Sequence, residues 1–316
     1  MQLRTLILLF SVCMCFAEVH AQWDTQISQY WRIKTYYNPS FAGEIDSLHV
    51  GGLHRQQWVG IDNAPKATII SADMPFNFLD RKHGVGALVV TESKGLFKNT
   101  TMSGQYVYKK KFKKNLLNVG IQLGIANISF DAAGIEIPDS NDHDKGDEGI
   151  PGSDADNSSA FDMGLGVSWI APNYYVGFSA THVMEPNITL DKTRSAYIPR
   201  TFYLTGGYNI KLRNPLIELQ PSFLVKSDLV ATQIDVTARA VYNKMFNGGI
   251  SWRKDDGFIF LLGVTFRNFD VGYAYDLSTS AISTVSKGTH EFFVRYAMPL
   301  NLDKPKKNRR KSVRVL

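Results

Sequence analysis

Phe258-Ile259-Phe260-Leu261-Leu262-Gly263-Val264-Thr265-Phe266-Arg267 is followed, one residue later, by Phe269-Asp270-Val271-Gly272-Tyr273-Ala274-Tyr275-Asp276-Leu277-Ser278. In both stretches every second residue is large and apolar: Phe258, Phe260, Leu262, Val264 and Phe266, then Phe269, Val271, Tyr273, Tyr275 and Leu277. A period of two is that of an extended strand with one face in apolar surroundings and the other among small or charged groups. The same alternation recurs in Phe292-Val294-Tyr296 against Glu291 and Arg295, in Ile234-Val236-Ala238 against Asp235, Thr237 and Arg239, and in Phe161-Met163-Leu165-Val167-Trp169 against Asp162, Gly164, Gly166 and Ser168.

A soluble β-sandwich also alternates, so three further features decide. The strands approach the ~9–11 residues that a tilted membrane strand needs, longer than the common ~5–6 of soluble sheets. Their polar faces carry paired charges and glycines, which suit a wet or tightly filled lumen. Aromatic residues gather near strand ends (Tyr106, Tyr108, Trp169, Tyr174, Tyr175 and Tyr296), as in an interfacial girdle. The fold class is therefore all-β, a transmembrane outer-membrane β-barrel of about fourteen antiparallel strands.

The strands are expected to begin near Leu48, Pro65, Gly84, Thr100, Leu116, Ser158, Tyr174, Thr201, Leu216, Thr232, Phe246, Phe258, Phe269 and Thr289. An even count returns both ends of the barrel domain, 48–300, to one side. If the first strand runs outward, the long connections Ser129–Asn157, Met184–Arg200 and Ser278–Gly288 are external. The connections at Ala171-Pro172-Asn173, Asn243-Lys244-Met245 and Arg267-Asn268 are then short internal turns. Long outside and short inside is the outer-membrane rule. Pro75–His83 reads as a longish internal exception.

Residues 1–21 form a signal peptide, with Arg4 ahead of an apolar run from Leu6 to Phe16 and cleavage expected before Gln22. Cys13 and Cys15, the only cysteines, lie within it, so the exported chain has neither disulfides nor a thiolate metal site. The segment 22–47, with Trp23, Tyr30, Trp31, Tyr36 and Tyr37, reads as a periplasmic lead-in that packs against its own domain, with a plug or partner-contact role as the alternative.

The balance of charge is +6, from 35 Lys and Arg against 29 Asp and Glu. Basic residues cluster at Lys109, Lys110, Lys111, Lys113 and Lys114, at Lys211 and Arg213, and in a tail, 301–316, that holds Lys306, Lys307, Arg309 and Arg310. All fall on the internal side of this topology, where they read as simply solvated or lipid-contacting charge, with binding of a specific partner as the alternative. An exported barrel meets no nucleic acid. The external segment between Asp131 and Asp156 is acidic, but its Asp139–Gly146 stretch misses calcium-loop spacing, so a solvated loop is the better reading and weak divalent binding near lipopolysaccharide the lesser one.

Catalytic patterns are missing. His290-Glu291-Phe292-Phe293-Val294 lacks the second histidine of a zinc helix, and Gly177-Phe178-Ser179-Ala180-Thr181 lacks the closing glycine of a nucleophile elbow. The scattered histidines, His182 included, read as polar strand or loop residues. Glu291 and Arg295 read as a structural ion pair on the lumen face. No catalytic residue, cofactor or metal is expected, and the chain reads as a non-enzyme.

Two blocks stand out beside the strand pattern. Asn38-Pro39-Ser40-Phe41-Ala42-Gly43 is a compact turn bracketed by proline and glycine. Arg55-Gln56-Gln57-Trp58-Val59-Gly60-Ile61-Asp62-Asn63-Ala64-Pro65 ends a strand and turns. Together they resemble the opening of the PorP/SprF family, outer-membrane proteins of the type IX secretion system. Ile198–Tyr208, Leu219–Lys226, Asp270–Asp276 and Gly288–Glu291 resemble later parts of the same family, whereas the acidic insertion and the tail after Met298 depart from it.

The resemblance implies a Bacteroidetes-like outer-membrane component that supports protein export and in gliding cells the handling of surface adhesins, and the strand topology above would put both termini in the periplasm. Asn38, Pro39, Ala42, Gly43, Arg55, Gln57, Trp58, Gly60, Asp62 and Pro65 would be its structural or docking positions. The implied partners are periplasmic and lipoprotein components of the machinery, with secreted cargo, membrane lipid and lipopolysaccharide as further contacts. A general porin or small-solute transporter is the alternative, since Asp235, Arg239, Asp270, Glu291 and Arg295 would equally suit a charged pore.

Overall fold

A computed structural model describes residues 24–130, 158–189 and 195–300 of the chain. Fourteen antiparallel strands form a closed wall, each hydrogen-bonded to its neighbours in sequence. They are β1 (Ser47–Gln56), β2 (Lys66–Phe78), β3 (Arg81–Lys94), β4 (Phe97–Phe112), β5 (Asn115–Phe130), β6 (Ser158–Ile170) and β7 (Tyr174–Thr181). The wall continues with β8 (Thr201–Tyr208), β9 (Ile217–Ser227), β10 (Thr232–Tyr242), β11 (Phe246–Arg253), β12 (Gly257–Phe266), β13 (Phe269–Ser278) and β14 (Thr289–Pro299). β14 closes on β1 with Ser47 opposite Pro299 and Gln56 opposite His290. Closure leaves no sheet edge, as lipid requires of a spanning sheet. Two short pieces, Asn187–Thr189 and Ser195–Tyr197, pair with each other in the β7–β8 connection.

Period two is realised on both faces. Phe258, Phe260, Leu262, Val264 and Phe266 are exposed on the outside, as are Met102, Ile125, Phe161 and Phe292, and form the apolar band expected to face lipid tails. Outward aromatics pair near the strand ends: Tyr174 stacks on Tyr208 at 6.4 Å, and Phe269 meets Tyr296 in a tilted contact at 4.9 Å. Tyr175 is not among them. One residue on from outward Tyr174, it points inward and meets the Phe41 ring at 5.7 Å.

The connections at the end where β1 begins and β14 ends are tight turns of two or three residues, except the longer link from β8 to β9. The Pro75–His83 exception disappears, because β2 and β3 run to Phe78 and Arg81 and leave only Leu79 and Asp80 between them. Both carry positive φ, 47° and 58°, the backbone of the tight turn whose twist matches flanking strands. The β4–β5, β10–β11 and β12–β13 turns likewise carry positive φ at Lys113, at Asn243 and Lys244, and at Arg267.

Candidate functional site in the lumen and at the short-turn rim

The lead-in is not on the rim. Residues 24–46 run through the lumen, from the level of the long loops to that of the short turns. Lys226 donates to the Asp24 carbonyl at 2.9 Å, near the outer end of β9. Glu291 accepts the Ser28 and Gln29 N–H groups, each at 2.8 Å. The Tyr30 hydroxyl donates to Thr237 at 2.9 Å. Arg32 pairs with Asp270 and donates to Asn247 Oδ1, near the short turns. A four-residue helix, Lys34–Tyr37, and a 3-10 turn, Pro39–Phe41, then bring the chain to β1.

Burial supplies the reason for this placement. Tyr30, Tyr37 and Phe41 pack with Tyr203 and Leu224, and Ile27 and Ile33 pack with Leu53, Ile69, Leu88 and Phe293. These are apolar side chains on the inner wall, which an open aqueous lumen would leave wet. A rim position for the lead-in would strand them. Asp24 thus lies at the opposite end of the barrel from Pro299, and the expectation of a shared periplasmic rim fails for the lead-in.

The Asn38–Gly43 block lies in close contact with the wall. Asn38 caps the 3-10 turn, its Oδ1 accepting from Ser40 N at 2.9 Å and Ser40 Oγ at 2.7 Å. Its amide nitrogen donates to the carbonyls of Val167 and Phe178, both at 3.3 Å. Such proximity needs wall residues without side chains. A Cβ at Gly120 would stand 2.5 Å from Ser40 N, and one at Gly177 2.9 Å from Asn38 Nδ2. Cβ atoms at Gly84 and Gly166 would overlap the Ala42 carbonyl oxygen and Asn38 Oδ1. Gly43, at φ 64°, donates from its N–H to Asp73 at 2.8 Å, and Lys109 caps its carbonyl.

Arg55 anchors the middle of the lead-in. It donates to Ser28 Oγ and Asp276, each at 2.8 Å, and meets Glu291 at 3.3 Å. Arg253 adds contacts to Asp235 at 2.9 Å, Asp276 at 3.3 Å and the Ile27 carbonyl at 3.2 Å. Two arginines face three buried carboxylates and the partly exposed Asp256, 3.4 Å from Arg253, and the excess negative charge is offset by two backbone N–H groups on Glu291 and the Ser28 hydroxyl on Asp276. That is the condition for burying charge. The expected Glu291–Arg295 pair does not form. Four residues along a strand span roughly 13 Å, so Arg295 meets Asp270 at 3.0 Å instead.

The rest of the second block lies elsewhere. Gln57, Trp58, Gly60, Asp62 and Pro65 form the β1–β2 loop at the far mouth. Gln57 N donates to the Pro65 carbonyl at 2.9 Å, Val59 N to the Gly288 carbonyl at 2.9 Å, and Lys287 N to the Val59 carbonyl at 2.7 Å. Trp58 (φ 48°) and Gly60 (φ 101°) make the turn, and Asp62 is exposed. The two blocks therefore form no single site: one seats the lead-in, and the other, apart from Arg55, ties two outer loops together.

A further lumen feature escapes sequence reading. His182, just past β7, donates to Asp162 at 2.7 Å and to Asp24 at 2.9 Å. Burial alone would lower its pKa, but the Asp24 and Asp162 carboxylates outweigh that and push it up to about 10. Asp24, although burial opposes its charge, is held well below the usual carboxylate range by His182 and Lys226. The partners are more than 150 residues apart in sequence for Asp24 and His182, so no local motif announces them.

At the short-turn end the six connections carry Lys113, Lys114, Lys211, Arg213, Lys244 and Arg267 against Asp80. Lys110 and Lys111 are exposed beside them. Lys109 is not available there: period two turns it into the lumen, where it is buried against Gly43. Lys306, Lys307, Arg309 and Arg310, like the signal peptide and the acidic insertion, lie outside the described residues.

The model of the type IX secretion system membrane protein PorP/SprF family matches residues 19–296. The chain belongs to the PorP/SprF family. The match spans the lead-in as well as every strand but the last three residues of β14, so the filled lumen is built from sequence that the family model covers. Comparison with curated proteins gives no match. Among solved structures, the monoaromatic hydrocarbon channel CymD is 10% identical over 86% of this chain and 94% of that one, with a TM-score of 0.50. The toluene transporter TbuX of Ralstonia pickettii is 12% identical over 84% and 92%, with a TM-score of 0.48. The outer membrane protein Omp33 of Acinetobacter baumannii is 8% identical over 81% and 100%, with a TM-score of 0.45. At such identities the likeness of this PorP/SprF protein to CymD concerns the barrel fold and nothing finer.

Proposed function

We propose that this PorP/SprF barrel is a non-enzymatic outer-membrane component that serves protein export by docking periplasmic machinery at its short-turn end, surface adhesins of gliding cells being among the cargo served. The observation that carries this reading is the lumen itself. Residues 24–46 stand across it and are held by hydrogen bonds to the wall from Ser28 to Gly43, most of them buried. A barrel filled in this way offers its rim, not a pore. In this reading the basic short turns and the tail 301–316 face the periplasm and take acidic surfaces of periplasmic proteins or lipoproteins. A general porin or solute transporter would need an open path where the lead-in lies.

Deleting the gene and quantifying the secreted proteome tests the proposal. Loss of exported proteins from the medium, with small-solute uptake unchanged, is expected. Unchanged secretion together with impaired uptake would favour the transporter.

A further inference from the structure

A cavity of about 610 Å³ remains between the lead-in and the wall at the short-turn end, edged by Pro172, Asn173 and Asn209. That volume falls within the range of small-ligand sites. Four cations line it: Arg32, Lys34, Arg239 and Arg295. Three have a carboxylate partner within the site. Arg32 and Arg295 share Asp270, and Lys34 pairs with Glu44. Arg239 makes no ion pair among the described residues.

What Arg239 has instead is a platform. Its guanidinium carbon lies 4.1 Å from the centroid of the Trp31 ring, and one terminal nitrogen donates to Gln220 at 2.9 Å. Its Nε–H has no acceptor, and neither does the buried indole N–H of Trp31. Asp270 is already taken by two arginines and the Thr265 hydroxyl. Stacking fixes the plane of a guanidinium while leaving an edge free for the two oxygens of a planar anion. The four lining cations face three carboxylates, Glu44, Asp73 and Asp270, so one added negative charge balances the cavity and a doubly charged group exceeds it.

We infer that this cavity is a carboxylate-binding site in which Arg239 takes the anion and Trp31 holds Arg239. The carboxylate can come from a free organic acid or from a polypeptide, as an acidic side chain or a chain end, since both present the same planar monoanion. The site stands independently of the docking reading. It adds a ligand chemistry to the mouth of the lumen, whichever partner the rim meets.

The test uses the full chain folded in detergent, titrated by calorimetry with benzoate and with acetyl-Gly-Phe, the C-terminal amide of the same peptide serving as the neutral control. The indole N–H resonance of Trp31, assigned with Trp31→Phe, is followed alongside. At least one acid should bind and shift that resonance, and the amide should bind at least about tenfold more weakly, the loss of one charge-assisted contact. Arg239→Gln should weaken the acid by at least about tenfold, and Arg239→Lys should weaken it too, because an ammonium lacks the fork. Benzoate binding the tighter points to free acids as the source, and the peptide binding the tighter points to a polypeptide. Either supports the site. The inference is overturned if neither acid binds, if acid and amide bind alike, or if Arg239→Gln binds undiminished. The acid–amide contrast is measured on the unaltered chain, so it holds even if the Arg239 variants fold poorly.

Discussion

The side-chain oxygen of Asn38 occupies the space that a Cβ at Gly166 would need. The wall of this barrel is thus shaped to the segment inside it. A glycine here serves close approach, not a turn, because backbone and capping side chain touch the strand directly. Gly166→Val should therefore unseat the Asn38–Gly43 block, seen as faster proteolysis within residues 24–46. Gly104→Ala, where an added Cβ meets nothing within 4 Å, should leave cleavage unchanged. Equal cleavage of the two variants would mean that the lead-in tolerates displacement from the wall.

Glu291 holds the Ser28 and Gln29 N–H groups and faces Arg55. Replacing it by Ala leaves two buried donors without an acceptor and removes one of the carboxylates that offset Arg55 and Arg253. Removing one member of a buried ionic cluster costs about 3–5 kcal/mol. The midpoint for loss of the compact gel species on heating should fall markedly in Glu291→Ala. It should fall far less in Glu185→Ala, whose pair with Arg200 lies 3.5 Å apart with both side chains about 40% exposed.

The Asp24–His182–Asp162 contact should respond to pH in a defined direction. The pKa of His182 is raised in the folded protein to about 10. Its contribution is fully present below the ordinary histidine value of roughly 6.5 and is lost as pH rises through about 10. Asp24 is shifted down, so its contribution is present above roughly 3.9 and is lost as acid drives the pH below that. The Asp24 end of the lead-in should stay seated at neutral pH and become protease-accessible above about pH 10. In His182→Gln the alkaline step should vanish. A step that persists in that variant would assign it to another group.

Exposed charge pairs are worth about 0–1 kcal/mol each, so no single rim lysine should matter. Replacing Lys110, Lys111, Lys113 and Lys114 by Gln and deleting 301–316 should leave a folded, membrane-inserted barrel. That barrel should recover less of its periplasmic partners on co-purification, the more so at high salt. Lys109 is left in place because it seats Gly43. Unchanged recovery at every salt concentration would move the docking surface away from the rim.

Much of this architecture was legible. Every expected strand start lies within three residues of the observed one, the largest offsets being Gly84 against Arg81 and Thr100 against Phe97. Period two and turn residues are local signals, and a barrel wall is assembled from local signals. The lead-in was harder, since where a segment goes depends on what it buries. A hint was present in the apolar residues on the inner face, Leu53, Ile69, Leu88, Ile259, Leu261 and Phe293, which water would disfavour. The Asn38 block was found as a motif, but its role depends on glycines at Gly84, Gly120, Gly166 and Gly177, spread over four strands. Lys109 reads as rim charge until the register of β4 turns it inward. Arg55 was read with the loop that follows it, whereas its partners Asp276 and Glu291 lie more than 200 residues away in sequence.

The most direct test of the filled lumen is electrical. The purified barrel is reconstituted in a planar bilayer and its ion conductance recorded at neutral pH, before any variant is made. The account predicts insertion without a steady, ohmic, porin-sized conductance, because residues 24–46 stand across the lumen. A stable open-pore current from the unaltered chain would contradict it.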